Sequence, residues 1–178
     1  MVEPTRDNAS IIQQAETLKC EGNELFRTGA YLESIKKYSK IPLYINGLVS
    51  KNDSMSQYSK NIITDEQVNI VNELRHTANA NMAAAYLALK NYSKVIEKSR
   101  LALEVRESSK VLYRRGLAFI ETGDIDNATL DLERAHQLTP NDPGINSAIL
   151  KLQNKRIEIL SLEKKKYKGF FDKLNQNT

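Results

Sequence analysis

Apolar and small residues recur at intervals of three and four along most of the chain. That is the spacing of one buried stripe on an α-helix, not the alternation of a strand. Between Ser108 and Asp124, Leu112, Gly116 and Phe119 form such a stripe. Gly123 offers a left-handed stop and Asp124 stands where it caps a following helix. Ala128, Leu132 and Ala135 continue as a second stripe that Pro140 closes. A large residue followed four positions later by a small one lets two helices approach closely, so this segment predicts a helix–turn–helix unit.

The series occurs twice more, as Leu18, Gly22, Leu25, Gly29, Tyr31, Ser34, Tyr38 and Ile41, and as Ala83, Tyr86, Lys90, Tyr92, Val95, Ser99 and Ala102. The last two units begin about 33 residues apart and the first two about 61, so an insertion of about 27 residues separates the first two. Its Ser- and Asn-rich middle predicts an exposed, mobile loop over about 50–64, with Asp65 starting an unusually long helix to about Leu89. After the third unit, Asp142 is a cap and Pro143 suits a first helical position. Ile145, Ile149, Leu152, Ile159, Leu162 and Phe170 then keep a helical period. This predicts a long helix covering the open apolar end of a repeat stack.

The expected fold class is therefore all-α, with three helix–turn–helix repeats and a C-terminal capping helix, seven helices in all. The expected organisation is a linker over 1–10 and a repeat domain over 11–141, with units at about 15–48, 65–105 and 108–139. The capping helix covers 142–174 and a tail 175–178.

Of 178 residues, 40% are apolar and 27% charged, enough for a core with a well-solvated surface. The net charge of +4 is too mild and too dispersed for a nucleic-acid stripe. One cysteine excludes an intrachain disulfide, and His76 and His136 fall in separate units, which argues against a metal set. Cys20 reads as a small buried or half-buried filler. The leader "MVEPTRDNAS" has no apolar signal core, and no run approaches the roughly 20 apolar residues of a membrane span. The expectation is a cytoplasmic chain with no membrane contact. Asn127-Ala128-Thr129 matches a glycosylation sequon, discounted because it falls on a predicted cytosolic helix. No nucleophile–base pair or phosphate loop appears, so no enzyme activity and no cofactor are expected.

Stacked helix pairs curve, and their first helices line the inner surface. The polar residues expected there are Lys19 and Asn23, one turn apart with Phe26 beside them, then Asn81, then Lys110 and Arg114. No acid belongs to this set. Arg115, in phase with Leu112 and Phe119, reads as structural. Three cations and two amides suit a doubly negative ligand terminus. Lysines supply point charges, arginine a planar fork, and asparagine donors without further self-repulsion. Capture of a C-terminal carboxylate is a known mode of peptide recognition.

The units resemble the tetratricopeptide (TPR) repeat, whose period is about 34 residues and whose stacks form a right-handed superhelix. The polar set resembles the carboxylate clamp of TPR co-chaperones that bind the Glu-Glu-Val-Asp tails of heat-shock proteins 90 and 70. That pattern, Lys and Asn, then Asn, then Lys and Arg, falls on Lys19, Asn23, Asn81, Lys110 and Arg114. The resemblance further implies that Phe26 and Ala84 line an apolar pocket for the tail's valine. More narrowly, "EGNELFRTGAYLESIKKY", the insertion, "NANMAAAYLALKNYSKVIEKSRLALE", "LYRRGLAF" and "KKKYKGFF" resemble the C-terminal half of large immunophilins. These are FKBP-type and, less closely, cyclophilin-type peptidyl-prolyl isomerases, and the resemblance covers about Ala15 to Leu174.

The chain departs from the immunophilin pattern in its longer insertion and in Phe170-Phe171 where Met-Phe is usual. The resemblance implies a non-catalytic adaptor for the heat-shock protein 90 tail. The alternative is a scaffold that binds the heat-shock protein 70 tail, or a folded partner through its convex face or terminal helix. No β-rich region precedes the repeats, so no isomerase activity is expected of this chain. For "EKKKYKGFF" three readings stand: a solvated helix end with Tyr167 and Phe170 docked on the bundle, a calmodulin target, and a secondary chaperone contact.

Overall fold

The computed structural model describes residues 7–54, 56–59 and 61–176, with side chains as far as Tyr167. Among them are seven α-helices: α1 Asn8–Arg27, α2 Tyr31–Ile45, α3 Asp65–Ala88, α4 Tyr92–Val105, α5 Ser109–Thr122, α6 Ile125–Leu138 and α7 Pro143–Gln176. The first six form three hairpins, α1–α2, α3–α4 and α5–α6. The hairpins stack in chain order, with α2 on α3 and α4 on α5, and the first helices α1, α3 and α5 are neighbours on one side.

Each hairpin turns through a residue in the left-handed region: Gly29 (φ 81°), Lys90 (φ 57°) and Gly123 (φ 82°). Glycine adopts this conformation without strain, whereas Lys90 carries a Cβ there. The second helix of the last two pairs is then capped by a side chain. Asn91 Oδ1 accepts from the Lys94 amide and Asp124 Oδ1 from the Asn127 amide.

The hairpins close by matching residue sizes. A Cβ at Gly22 would lie 2.5 Å from the Tyr38 ring, and one at Gly116 would lie 2.8 Å from Leu132. In the middle hairpin the corresponding positions hold Ala83 and Ser99, both fully buried. The large partner on the second helix is thus accommodated only where the first helix has no side chain.

Residues 51–54, Gln57 and Tyr58 are exposed within the loop expected over 50–64, and the insertion is anchored at its neck. Strands β1 (Val49–Ser50) and β2 (Ile62–Ile63) pair in parallel and draw the two ends together. Leu48 and Ile63 are buried in the same core as Ile41, Ile45 and Val71. The apolar residues that flank the polar stretch pull its ends inward. Helix α3 then starts behind a capping box, with Thr64 and Gln67 each accepting the other's backbone N–H. Its range matches the long helix expected from Asp65.

Helix α1 begins at Asn8, inside the stretch expected as linker over 1–10, because Ile11 and Ile12 pack on the first core. Residues 1–6 of that stretch lie outside the described residues. Cys20 is exposed, contrary to the expected filler role. It corresponds by repeat to Asn81 and Arg114, which the preceding hairpin partly covers, and no described helix packs on that side of α1.

Helix α7 caps the stack with its first half only. Ile145, Ala148 and Leu152 are buried against α5 and α6. Asp142 Oδ1 accepts from the Gly144 and Ile145 amides, and Pro143 fills the first helical position. Further along, Leu160, Leu162 and Tyr167 are 57–64% exposed, so Leu162 does not continue the packed stripe and Tyr167 is not docked on the bundle. Helix length explains this. At 1.5 Å per residue the 14 residues of α6 span about 21 Å and the 34 of α7 about 51 Å. The side chains of Phe170, Phe171 and Leu174, and residues 177–178 of the expected tail, lie outside the described residues.

Candidate functional site

A pocket of about 220 Å³ opens on the side formed by α1, α3 and α5. Its lining is Asn23, Phe26 and Arg27 from α1, Tyr38 from α2, Asn81 and Ala84 from α3, and Arg114 from α5. Five of the seven residues proposed from sequence therefore meet in one cavity, drawn from all three hairpins. Lys19 and Lys110 stand one turn before Asn23 and Arg114 on the same helix faces, outside the lining itself. Among the described residues, no carboxylate lines the pocket.

Gly22 makes the inner end of this arrangement. With no Cβ in the way, the Tyr38 ring crosses α1 and brings its hydroxyl to Asn23, donating to Oδ1 at 2.8 Å. Asn81 Nδ2 donates to the same oxygen at 3.0 Å. Both acceptor positions of that oxygen are then filled, so the Asn23 amide turns its Nδ2 donors away from Tyr38 and Asn81. Burial pushes the Tyr38 phenol above its ordinary pKa, partly opposed by the neighbouring Asn81 amide. It remains a neutral hydroxyl donor at physiological pH.

Arg114 is held differently. It reaches back across the hairpin boundary and donates from Nη1 to the Ala80 carbonyl at 3.2 Å. Burial pulls its guanidinium below the usual arginine range, partly opposed by the neighbouring Tyr113. Arginine stays charged even so, and one neutral acceptor leaves most of its five N–H donors open. A half-buried cation with no acid partner is a site where an incoming carboxylate gains most. The adjacent Arg115 has the opposite setting. Its Nε and Nη2 each donate at 2.7 Å to the two carboxylate oxygens of buried Asp131, and its guanidinium lies 5.9 Å from the Phe119 ring centre. That agrees with the structural role expected for Arg115.

The apolar wall is Phe26 and Ala84, with Phe26 braced edge-on by Tyr31 at 5.2 Å between ring centres. Sequence reasoning missed two lining residues. Tyr38 was assigned only to the packing stripe, although an aromatic facing a glycine on the partner helix signalled that its hydroxyl would pass beyond α1. Arg27 was overlooked, although Lys19, Asn23 and Arg27 follow one another at steps of four along a single helical ridge. The two histidines are apart: His76 is buried with Nδ1 3.0 Å from the Ala102 carbonyl oxygen, and His136 Nδ1 lies 3.0 Å from Asn146 Oδ1. No described helix is long and apolar enough to cross a membrane.

No protein-family model matches the chain. The chain is 29% identical over 168 residues to peptidyl-prolyl cis-trans isomerase FKBP4 of Mus musculus, covering 94% of this chain and 34% of that protein. It is 27% identical over 175 residues to peptidyl-prolyl cis-trans isomerase D of Kluyveromyces lactis, covering 96% of this chain and 44% of that one. The chain thus spans less than half the length of these curated relatives.

Among solved structures, the C-terminal TPR-containing domain of a Plasmodium falciparum FK506-binding protein superposes with a TM-score of 0.73 at 24% identity, over 89% of this chain and 97% of that one. The first TPR of Spaghetti (RPAP3), bound to the HSP90 peptide SRMEEVD, superposes with a TM-score of 0.60 at 24% identity, over 80% and 92%. The second TPR domain of human RPAP3, in complex with the HSP70 peptide SGPTIEEVD, does so with 0.60 at 22%, over 79% and 96%. The hairpin stack and its capping helix share the fold of these TPR domains, and the chain is homologous to segments of FKBP4 and peptidyl-prolyl cis-trans isomerase D.

Proposed function

We propose that the chain is a non-catalytic adaptor that holds the C-terminal Glu-Glu-Val-Asp peptide of heat-shock protein 90 in the α1–α3–α5 pocket. The observation that carries this reading is a half-buried Arg114 without an acid, in one cavity with two amides from separate hairpins. Lys19, Asn23 and Asn81 take the terminal carboxylates. Lys110 and Arg114 grip the aspartate side chain and the backbone before it. Valine rests on Phe26 and Ala84.

A short peptide with one charged end held this way binds in the micromolar range, about −8 kcal/mol. Calorimetric titration with a Glu-Glu-Val-Asp peptide tests it. Arg114→Ala lowers the affinity at least tenfold, and amidation of the peptide terminus does the same. Unchanged affinity in both cases rejects the clamp.

The peptides bound by the two RPAP3 domains share this ending, so parallel titration with SRMEEVD and SGPTIEEVD ranks the two chaperone tails. The exposed Leu160, Leu162 and Tyr167 on α7 favour a second contact, with a folded partner, that is separate from the pocket. Loss of a partner on Leu162→Ser with tail binding intact would separate the two.

A further inference from the structure

We infer that Arg27 is a specificity-determining residue of the pocket, reading an acidic side chain third from the end of the bound peptide in exchange for its own partner Glu24. The inference rests on the clamp reading. Arg27 lines the cavity beside Phe26 and follows Asn23 by four residues on α1. Four residues of helix advance about 6 Å. Two residues of extended peptide advance about 6.6 Å and bring side chains of the same face into line. With the terminal aspartate at Asn23 and valine on Phe26, the residue level with Arg27 is the glutamate that precedes the valine.

The guanidinium is occupied in the free domain. Arg27 Nη2 donates to Glu24 Oε1 at 2.6 Å, one turn back on the same helix, with the two side chains 70% and 65% exposed. So exposed a pair is worth little and exchanges readily for another carboxylate. Glu24 is then an internal competitor for the ligand's acid. It keeps Arg27 in place when the groove is empty and offsets part of what an acidic tail gains, while tails that lack an acid leave the pair intact.

The test is a calorimetric cycle on the whole chain, with peptides ending Glu-Glu-Val-Asp and Glu-Gln-Val-Asp. Arg27→Gln is expected to weaken the first about three- to fivefold and leave the second unchanged. Glu24→Gln is expected to strengthen the first about twofold. Circular dichroism melts establish that both variants fold as the parent does. Equal losses on the two peptides, or no loss on either, would overturn the role of Arg27. Arg114→Ala is titrated alongside: if it leaves both affinities unchanged, the clamp reading itself has failed. If it cuts both while Arg27→Gln cuts neither, only the present inference is lost.

Discussion

The Tyr38 hydroxyl reaches Asn23 Oδ1 across 2.8 Å because residue 22, between the ring and the helix axis, is glycine. A methyl group at that position would stand 2.5 Å from a ring carbon. Packing between two helices and orientation of a binding amide are here one contact. Gly22→Ala is expected to cost about 1–3 kcal/mol of stability through overpacking. Tyr38→Phe keeps the shape, costs about 1 kcal/mol, and releases the Asn23 amide. Urea unfolding separates the two costs, and peptide titration should register both.

Adjacent arginines on α5 should respond oppositely to substitution. Arg115 is tied to Asp131, whose side chain is 7% exposed, so Asp131→Ala strands a guanidinium and costs about 3 kcal/mol or more. Among the described residues Arg114 has only the Ala80 carbonyl, so Arg114→Met is expected to leave stability unchanged or slightly raised while peptide binding falls. Chemical denaturation paired with calorimetry checks both, and a large loss of stability in Arg114→Met would show that its buried cation is already compensated within the fold.

Lys90 occupies a turn position where the other two hairpins have glycine. Lys90→Gly removes left-handed strain and should stabilise the domain by about 1 kcal/mol. Gly29→Ala and Gly123→Ala, each with open space for the added carbon, should destabilise it by a similar amount on conformational grounds alone. Thermal melts of the three variants read the difference directly.

Acid should weaken the α4 surface. Hydrogen bonds from Lys94 and then Lys98 hold the Glu97 carboxyl down at about 2. A folded pKa below the unfolded value contributes stability that is complete above about pH 4.5 and is lost as the pH falls towards 2. The Glu97 side chain is 38% exposed, so screening limits the contribution to less than about 1 kcal/mol. Glu97→Gln should flatten the fall in urea midpoint between about pH 5 and about pH 3 by that small amount, and salt should shrink the difference.

Truncation after Ser161 should leave the melting temperature within a few degrees of the parent, since Leu162 and Tyr167 are solvent-exposed. Leu152→Ala, by contrast, should cost about 2–5 kcal/mol.

The hairpins, the long α3 and the polar residues gathered at the pocket were legible because each depends on local spacing. Gly123 and Asp124 announce a turn, and Lys110 and Arg114 share a face whatever lies opposite. What was not legible depends on whether a neighbour exists. The period of Ile145, Ile149, Leu152 and Ile159 continues into Leu162, but periodicity cannot say where α6 ends beneath it. Cys20 repeats the phase of Asn81 and Arg114, but no described helix packs on its side of α1. Leu48 and Ile63 looked like loop margins, and only their pairing across the insertion buries them.

The matched sizes at Gly22 and Tyr38, Ala83 and Ser99, and Gly116 and Leu132 bear on how the chain avoids mispairing. Three similar hairpins could in principle exchange partners while folding. If α3 were to close on α2, the Ala83 methyl would meet the Tyr38 ring, and if α1 were to close on α4, Gly22 opposite Ser99 would leave a void. The middle hairpin thus rejects the large second helices of its neighbours, a built-in discrimination that keeps α3 and α4 with each other.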